Sequence, residues 1–234
     1  IRTDPVKRCP PSIFITSSIL SLQGCLYSLH YFAQDSNVNF TGYDNSDVNI
    51  VSNDSNIYLN GVINSNKGNV YIASTKNTID SIGDSKIIGK DISLNAKEGI
   101  GNKESIITFL QGGSITAKSE NGNININNVD SDLIVNSIIA SNGNVNLTTT
   151  DSIFNKDNTS LVSGKNLVLN SSGLIGNADN PLNISASLLT AKGLGDINLN
   201  QTGGDLGIKS ITTNANLNLT ADGNVYNKNI SKRI

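Results

Sequence analysis

A four-residue unit recurs along most of the chain: Asn or Asp, an aliphatic residue, any residue, then a second aliphatic residue or Phe. It stands at Asn37–Phe40, Asp47–Ile50, Asn56–Leu59, Asn69–Ile72, Asp91–Leu94 and Asn123–Ile126. It returns at Asp132–Val135, Asn144–Leu147, Asn166–Leu169, Asp196–Leu199, Asp205–Ile208 and Asn216–Leu219. Successive first aliphatic positions lie 10, 9, 13, 22, 32, 9, 12, 22, 30, 9 and 11 residues apart. Gaps near multiples of ten predict a coil of about 20–22 residues that holds two strands half a coil apart.

Within each unit the two aliphatic residues share one strand face, because side chains alternate with a period of two. The residue between them is Asn in six of the twelve units, Tyr in two and aliphatic in only two, Ile134 and Val168. One face is therefore apolar and the other mostly polar. Gly precedes the Asn or Asp in five units and Ser in four, which is turn chemistry. Strands this short cannot bury an apolar face alone, and stacking coil on coil does so. The expected fold is all-β, a parallel β-helix (solenoid) of about nine to ten coils of 20–22 residues, a rod of about 45 Å at about 4.8 Å per coil. Asn at equivalent turn positions is expected to form hydrogen-bonded ladders. A β-sandwich, with strands every 8–12 residues or so, is the alternative architecture.

Composition supports the strands and marks a boundary. The chain has 37 Asn, 29 Ser, 3 Glu and neither Met nor Trp, a mixture poor in helix formers. A net charge of −2, with no Lys/Arg block longer than two residues, offers no field for nucleic acid. Residues 1–33 contain no Asn, yet hold three of the four Pro, Cys9, Cys25 and the single His30. We therefore divide the chain into an atypical N-terminal segment, 1–33, and a repeat array, 34–234. Lys7 and Arg8 before the apolar run Ile13–Phe32 have the order of a targeting segment, and Leu22-Gln23-Gly24-Cys25 is similar to a lipoprotein cleavage box. A packed cap over the array and a stretch foreign to the protein are the other readings of residues 1–33. The absence of Met, and a C-terminal Asn229–Ile234 without an evident cap, lead us to expect an interior fragment of a longer fibre.

Residues 173–227 carry a more specific likeness. Gly-Leu-Ile-Gly-Asn-Ala-Asp-Asn-Pro-Leu-Asn-Ile from Gly173, followed by Leu-Leu-Thr-Ala-Lys-Gly-Leu-Gly-Asp-Ile-Asn-Leu, resembles large bacterial exoproteins of the filamentous hemagglutinin type. The first stretch is most similar to the leukotoxin-related filamentous adhesins. A weaker resemblance, in the Gly-Asp/Asn-aliphatic units, extends over residues 37–227. The resemblance implies a right-handed coil, export through an outer-membrane partner pore (two-partner secretion), and display at the cell surface or release. It also implies adhesion, aggregation or toxicity towards host cells. The family's Asn-Pro-Asn-type secretion signature is absent from the sequence, so export rests on the likeness alone.

The residues provide little equipment for catalysis. Glu98, Glu104 and Glu120 are the only glutamates, and Arg2, Arg8 and Arg233 all lie near the ends. Aspartates such as Asp47, Asp91 and Asp196 occupy the slot filled by Asn elsewhere, and are expected to satisfy their own local backbone. Gly193-Leu-Gly-Asp196 and Gly203-Gly-Asp205 match calcium-binding β-rolls only in part. Nine Asn-x-Ser/Thr sites, at Asn39, Asn53, Asn146, Asn158, Asn170, Asn183, Asn200, Asn218 and Asn229, are close to the roughly seven that composition alone produces. Lys67, Lys90 and Lys165 read as solvated turn positions. No catalytic, cofactor-binding or metal-ligating residue is assigned, and no cofactor is expected. Two functions compete: an adhesive fibre segment contacting host protein, glycan or another fibre, with Tyr58 and Tyr71 on its strands, and the repeat region of a secreted toxin or polysaccharide-active enzyme.

Overall fold

The computed structural model describes residues 47–228 with their side chains and, before them, the backbone of four strands, Ile13–Ile15, Ile19–Gln23, Tyr27–Tyr31 and Ser36–Thr41. Every motif unit lies on a strand, and all strand pairings run parallel. The strands form two sheets, of 12 and 13 strands, that face each other across one core. No helix occurs among the described residues.

The first sheet shows the coil directly. Val48 pairs with Val70, Val70 with Ile92 and Ile92 with Ile115, each one coil further along. Ile115 pairs with Val135, Leu133 two residues before it pairs with Ile153, and the column continues through Ile175, Ile197 and Leu217. Eight turns separate Val48 from Leu217, so the fold is a β-solenoid of about eight coils rather than the nine or ten expected. The period itself holds at roughly 21 residues. The larger number came from assigning all of residues 34–234 to complete coils.

The apolar residues of the motif make the core. Ile50, Ile72 and Leu94 stack in one column and Ile57, Ile79, Ile100 and Ile124 in the opposite one, all nearly inaccessible to solvent. Burying each such side chain is worth about 1.5–3 kcal/mol against exposure. The longer gaps between motif units contain further strands: Thr78–Ser81 and Lys86–Gly89, Ile106–Leu110 and Ile115–Ser119, Leu182–Ser185 and Leu188–Gly193. These lack the Asn/Asp signal and are ordered by pairing with the coils on either side.

One corner of the core is polar. Thr108, Asn128, Thr149 and Ser171 succeed one another in register, all buried. The Asn128 amide donates to the Ser131 carbonyl at 2.7 Å, and the Ser171 hydroxyl to the Leu174 carbonyl at 3.0 Å. Inward polar side chains thus satisfy turn carbonyls that no strand can reach.

The backbone strands before residue 47 join the same two sheets, with Tyr27 opposite Val48 and Val38 opposite Leu59. Cys9, Cys25, Lys7 and Arg8 lie outside the described residues, and so do the cleavage-box reading and the Asn229–Ile234 terminus.

Candidate functional site

The slot before each strand turns out to join coils. Asp47 Oδ1 accepts the Asn69 amide at 2.7 Å, and Asp91 Oδ1 accepts both the amide and the hydroxyl of Ser114 at 2.8 Å. Asp132 accepts the Ser152 amide at 3.0 Å, Asp196 the Asn216 amide at 2.9 Å and Asp205 the Asn224 amide at 2.8 Å. Asn56, Asn69 and Asn123 act in the same way on Thr78, Asp91 and Asn144. Each carboxylate or amide oxygen therefore serves the next coil and not its own turn, which corrects the local-backbone expectation. The reason is geometric. Where the chain turns into a strand, the ladder has run out of carbonyls below, yet the next coil still presents an N–H. A short side chain with an oxygen three bonds from Cα fills that gap. The backbone returns the bond, as the Val48 amide donates to the Asn69 carbonyl at 2.8 Å.

Asn side chains also pair between neighbouring coils, singly rather than as continuous ladders, and only the first of the three pairs lies at the turn position. Asn166 donates to Asn144 at 2.8 Å, Asn200 to Asn183 at 2.9 Å and Asn218 to Asn198 at 2.8 Å. Burial raises the Asp91 carboxyl, but the Ser114 hydroxyl and amide outweigh it, with Lys156 and Lys90 adding to them, so the group lies below its ordinary value. Asp157 is lowered as well, chiefly by the hydroxyl and amide of Thr159.

The other singled-out residues scatter. Lys67, Lys90, Lys165, Glu104 and Glu120 are exposed, and Glu98 accepts the Asn121 side chain at 2.9 Å. Tyr71 lies on the first sheet and Tyr58 on the second, so the two rings do not share a surface. Asp196 and Asp205, from the partial calcium matches, each bind the Asn side chain of the next coil, at 3.1 and 3.2 Å. Among the described residues no three His, Cys, Asp or Glu side chains gather where a metal ion would sit.

Two clusters were not foreseen. In the first, Lys103 Nζ lies 4.3 Å from the centre of the Tyr58 ring and donates to its hydroxyl at 3.3 Å. Beside it the buried Asp80 accepts the Lys103 amide at 3.1 Å and sits 2.7 Å from the Thr78 hydroxyl. In the second, Lys86 Nζ lies 5.4 Å from the Phe109 ring centre and 3.4 Å from Asp130 Oδ2. Both involve the two places where the second sheet breaks, between Ser81 and Lys86 and between Ile100 and Ile106. Neither break carries the motif, and nothing in the sequence spacing marks them.

The described residues form several shallow grooves. One, of about 340 Å³, crosses four coils and is lined by Ser141, Ser163, Lys165, Ser185, Ser187 and Asp205. Another, of about 370 Å³, lies over Thr148, Asn170, Lys192 and Leu194. Hydroxyls, amides and isolated charges spaced along the rod suit an extended polar polymer better than a small apolar ligand. In comparisons with known proteins, the chain matches no family model, no curated relative and no solved structure.

Proposed function

We propose that the chain is a non-catalytic rod segment of a secreted or surface-displayed bacterial filamentous adhesin of the filamentous hemagglutinin type. In this reading the coil is right-handed and reaches the surface through an outer-membrane pore, and its outer faces attach to host-cell protein or glycan. The observation that carries it is the recurrence of Asn and Thr at outward positions of successive coils, Asn125 and Asn146 and then Asn127, Thr148 and Asn170, with a long groove lined largely by Ser across four coils. Contacts that are weak singly add up along such a surface when the ligand is itself repetitive.

Saturable binding of the purified chain to host cells or a glycan array, without chemical change of the ligand, is the expected result. Absence of saturable binding to either removes the adhesin reading. The second reading, a polysaccharide-active protein, draws on one observation: a carboxylate, a phenol and an ammonium group gathered at Asp80, Tyr58 and Lys103. Shortened or unsaturated oligosaccharides produced by the chain, and lost in Lys103→Ala, would establish it.

A further inference from the structure

Two nitrogens from different coils meet at one phenol oxygen. The Asn56 side-chain amide and the Lys103 ammonium both donate to the Tyr58 hydroxyl, each at 3.3 Å. Asn56 directly precedes the strand that carries Tyr58, Ile57–Ser65. Lys103 comes from the loop between Ile100 and Ile106, two coils further on. Its backbone amide is anchored on the buried Asp80, at 3.1 Å, and Asp80 stands opposite Tyr58 in the ladder. The lysine side chain therefore runs back over the intervening coil, with Nζ 4.3 Å from the centre of the Tyr58 ring.

The Asn56 carboxamide is also polarised. Its oxygen accepts the Thr78 amide at 3.2 Å and lies 2.9 Å from the Thr78 hydroxyl. At the equivalent slots Asn69 and Asn123 the donor is the amide of the next coil alone. Two donors on one carbonyl oxygen stabilise the negative charge that develops there when a nucleophile adds to the carbon. The Thr78 hydroxyl has Asp80 Oδ2 in reach as well, at 2.7 Å. An oxyanion is a stronger acceptor than a carboxylate, so the hydroxyl hydrogen follows the charge.

We propose that Asn56 and Lys103 join in an intramolecular isopeptide bond, formed by the folded chain itself. Lys103 Nζ, in its neutral form, adds to Cγ of Asn56, and the carbonyl electron pair moves to Oδ1 beside the two Thr78 donors. The newly bound nitrogen gives a proton to the Tyr58 oxygen, which passes its own hydrogen to Nδ2. The Cγ–Nδ2 bond then breaks and ammonia leaves, taking up the proton that the lysine had shed. An ammonium group enters and an ammonium ion departs, so atoms and charge balance with no oxidant or co-reactant. Folding supplies the reaction with proximity, because only coil stacking brings residue 103 to residue 56.

The bond ties the first and third of three successive coils across the stretch where the second sheet is interrupted. A covalent bridge closing that loop of chain restricts the unfolded state as a disulfide does, without a cysteine. It requires neither receptor nor polymer, so a negative adhesion assay leaves it standing.

Intact-mass measurement of the purified full chain tests it, with peptide mapping by tandem mass spectrometry. Expected is a chain lighter than its sequence by one ammonia, with a branched peptide joining Asn56 to Lys103. Both should vanish in Lys103→Arg, an exposed position at which circular dichroism should be retained. With cell-free synthesis starting the clock, Tyr58→Phe should link at a tenth of the native rate or less. A chain that keeps its full sequence mass after prolonged incubation overturns the proposal. So does a mass loss that persists in Lys103→Arg, the mark of an asparagine cyclised on its own backbone. Linking at the native rate in Tyr58→Phe overturns the proton route through the phenol.

Discussion

Between Ile57 and Leu110 the second sheet is broken by short outward loops, whereas from Ile124 to Gly193 it runs in continuous register. In the continuous region each strand repeats the one below: Val145 over Ile124, Leu167 over Val145, Leu189 over Leu167. In the broken region the strand Ile57–Ser65 is matched by two pieces, Thr78–Ser81 and Lys86–Gly89, with Ile82–Ser85 looped out. Both charged–aromatic clusters take their lysine and their ring from the broken region. Regular stacking uses up polar groups in coil-to-coil bonds, while an interruption frees side chains to meet across coils.

Several substitutions break or sharpen this contrast. Leu147, fully buried in the continuous region, should cost about 2–5 kcal/mol as Leu147→Ala, whereas Ile107→Ala on the outer face of the broken region should stay within about 0.5 kcal/mol. Urea unfolding midpoints of the two variants measure the difference. Next in size is a pair of glycines. A Cβ on Gly143 would press on the Gly122 carbonyl of the coil below, so Gly143→Ala should cost about 1–3 kcal/mol by forcing coils apart. A Cβ on Gly83, in the looped-out segment, meets nothing within 4 Å, and only its φ of 61° opposes Gly83→Ala, at about 1 kcal/mol.

The slot residues come third. Asp196→Ala should lose about 1–2 kcal/mol, because the Asn216 amide is left without its acceptor, and Asp196→Asn should recover most of it. The acidic slots also predict a pH dependence. Asp91 is held below its ordinary value, so its contribution is complete above the unfolded carboxyl range, near about pH 4, and is lost as pH falls through the lower folded value. Denaturation midpoints followed from about pH 5 to pH 2 should decline in the native chain and less steeply in Asp91→Asn. The smallest effect belongs to the exposed Lys76–Asp54 pair. Lys76→Ala should change stability by less than about 0.5 kcal/mol, with the change vanishing in high salt.

Much of the fold was legible because the repeat encodes it locally. Alternation identified the inward residues, so Ile50, Ile72 and Leu94 were placed correctly before any coordinates. The recurrent Asn/Asp identified where strands begin. Strands such as Ile106–Leu110 and Leu188–Gly193 were missed because their order comes from neighbours and not from a start signal of their own. The Tyr58–Lys103–Asp80 cluster was invisible for a related reason. Its members lie 45 and 22 residues apart along the chain, since 103 is 45 beyond 58 and 80 is 22 beyond 58, and only stacking of coils makes them adjacent.

What the amino-acid order determined alone is the unit: a short strand with one apolar face, entered through Asn or Asp, at a period near 21 residues. Those are properties of residues close together in the chain, where side-chain alternation and turn chemistry act without help. What the tertiary structure decided is the use of each polar group. The same Asp that a local reading ties to its own turn reaches the amide of the next coil, because stacking brings that donor within hydrogen-bond distance. The same stacking brought Lys86 to within 3.4 Å of Asp130, two coils away, by a contact no periodicity records.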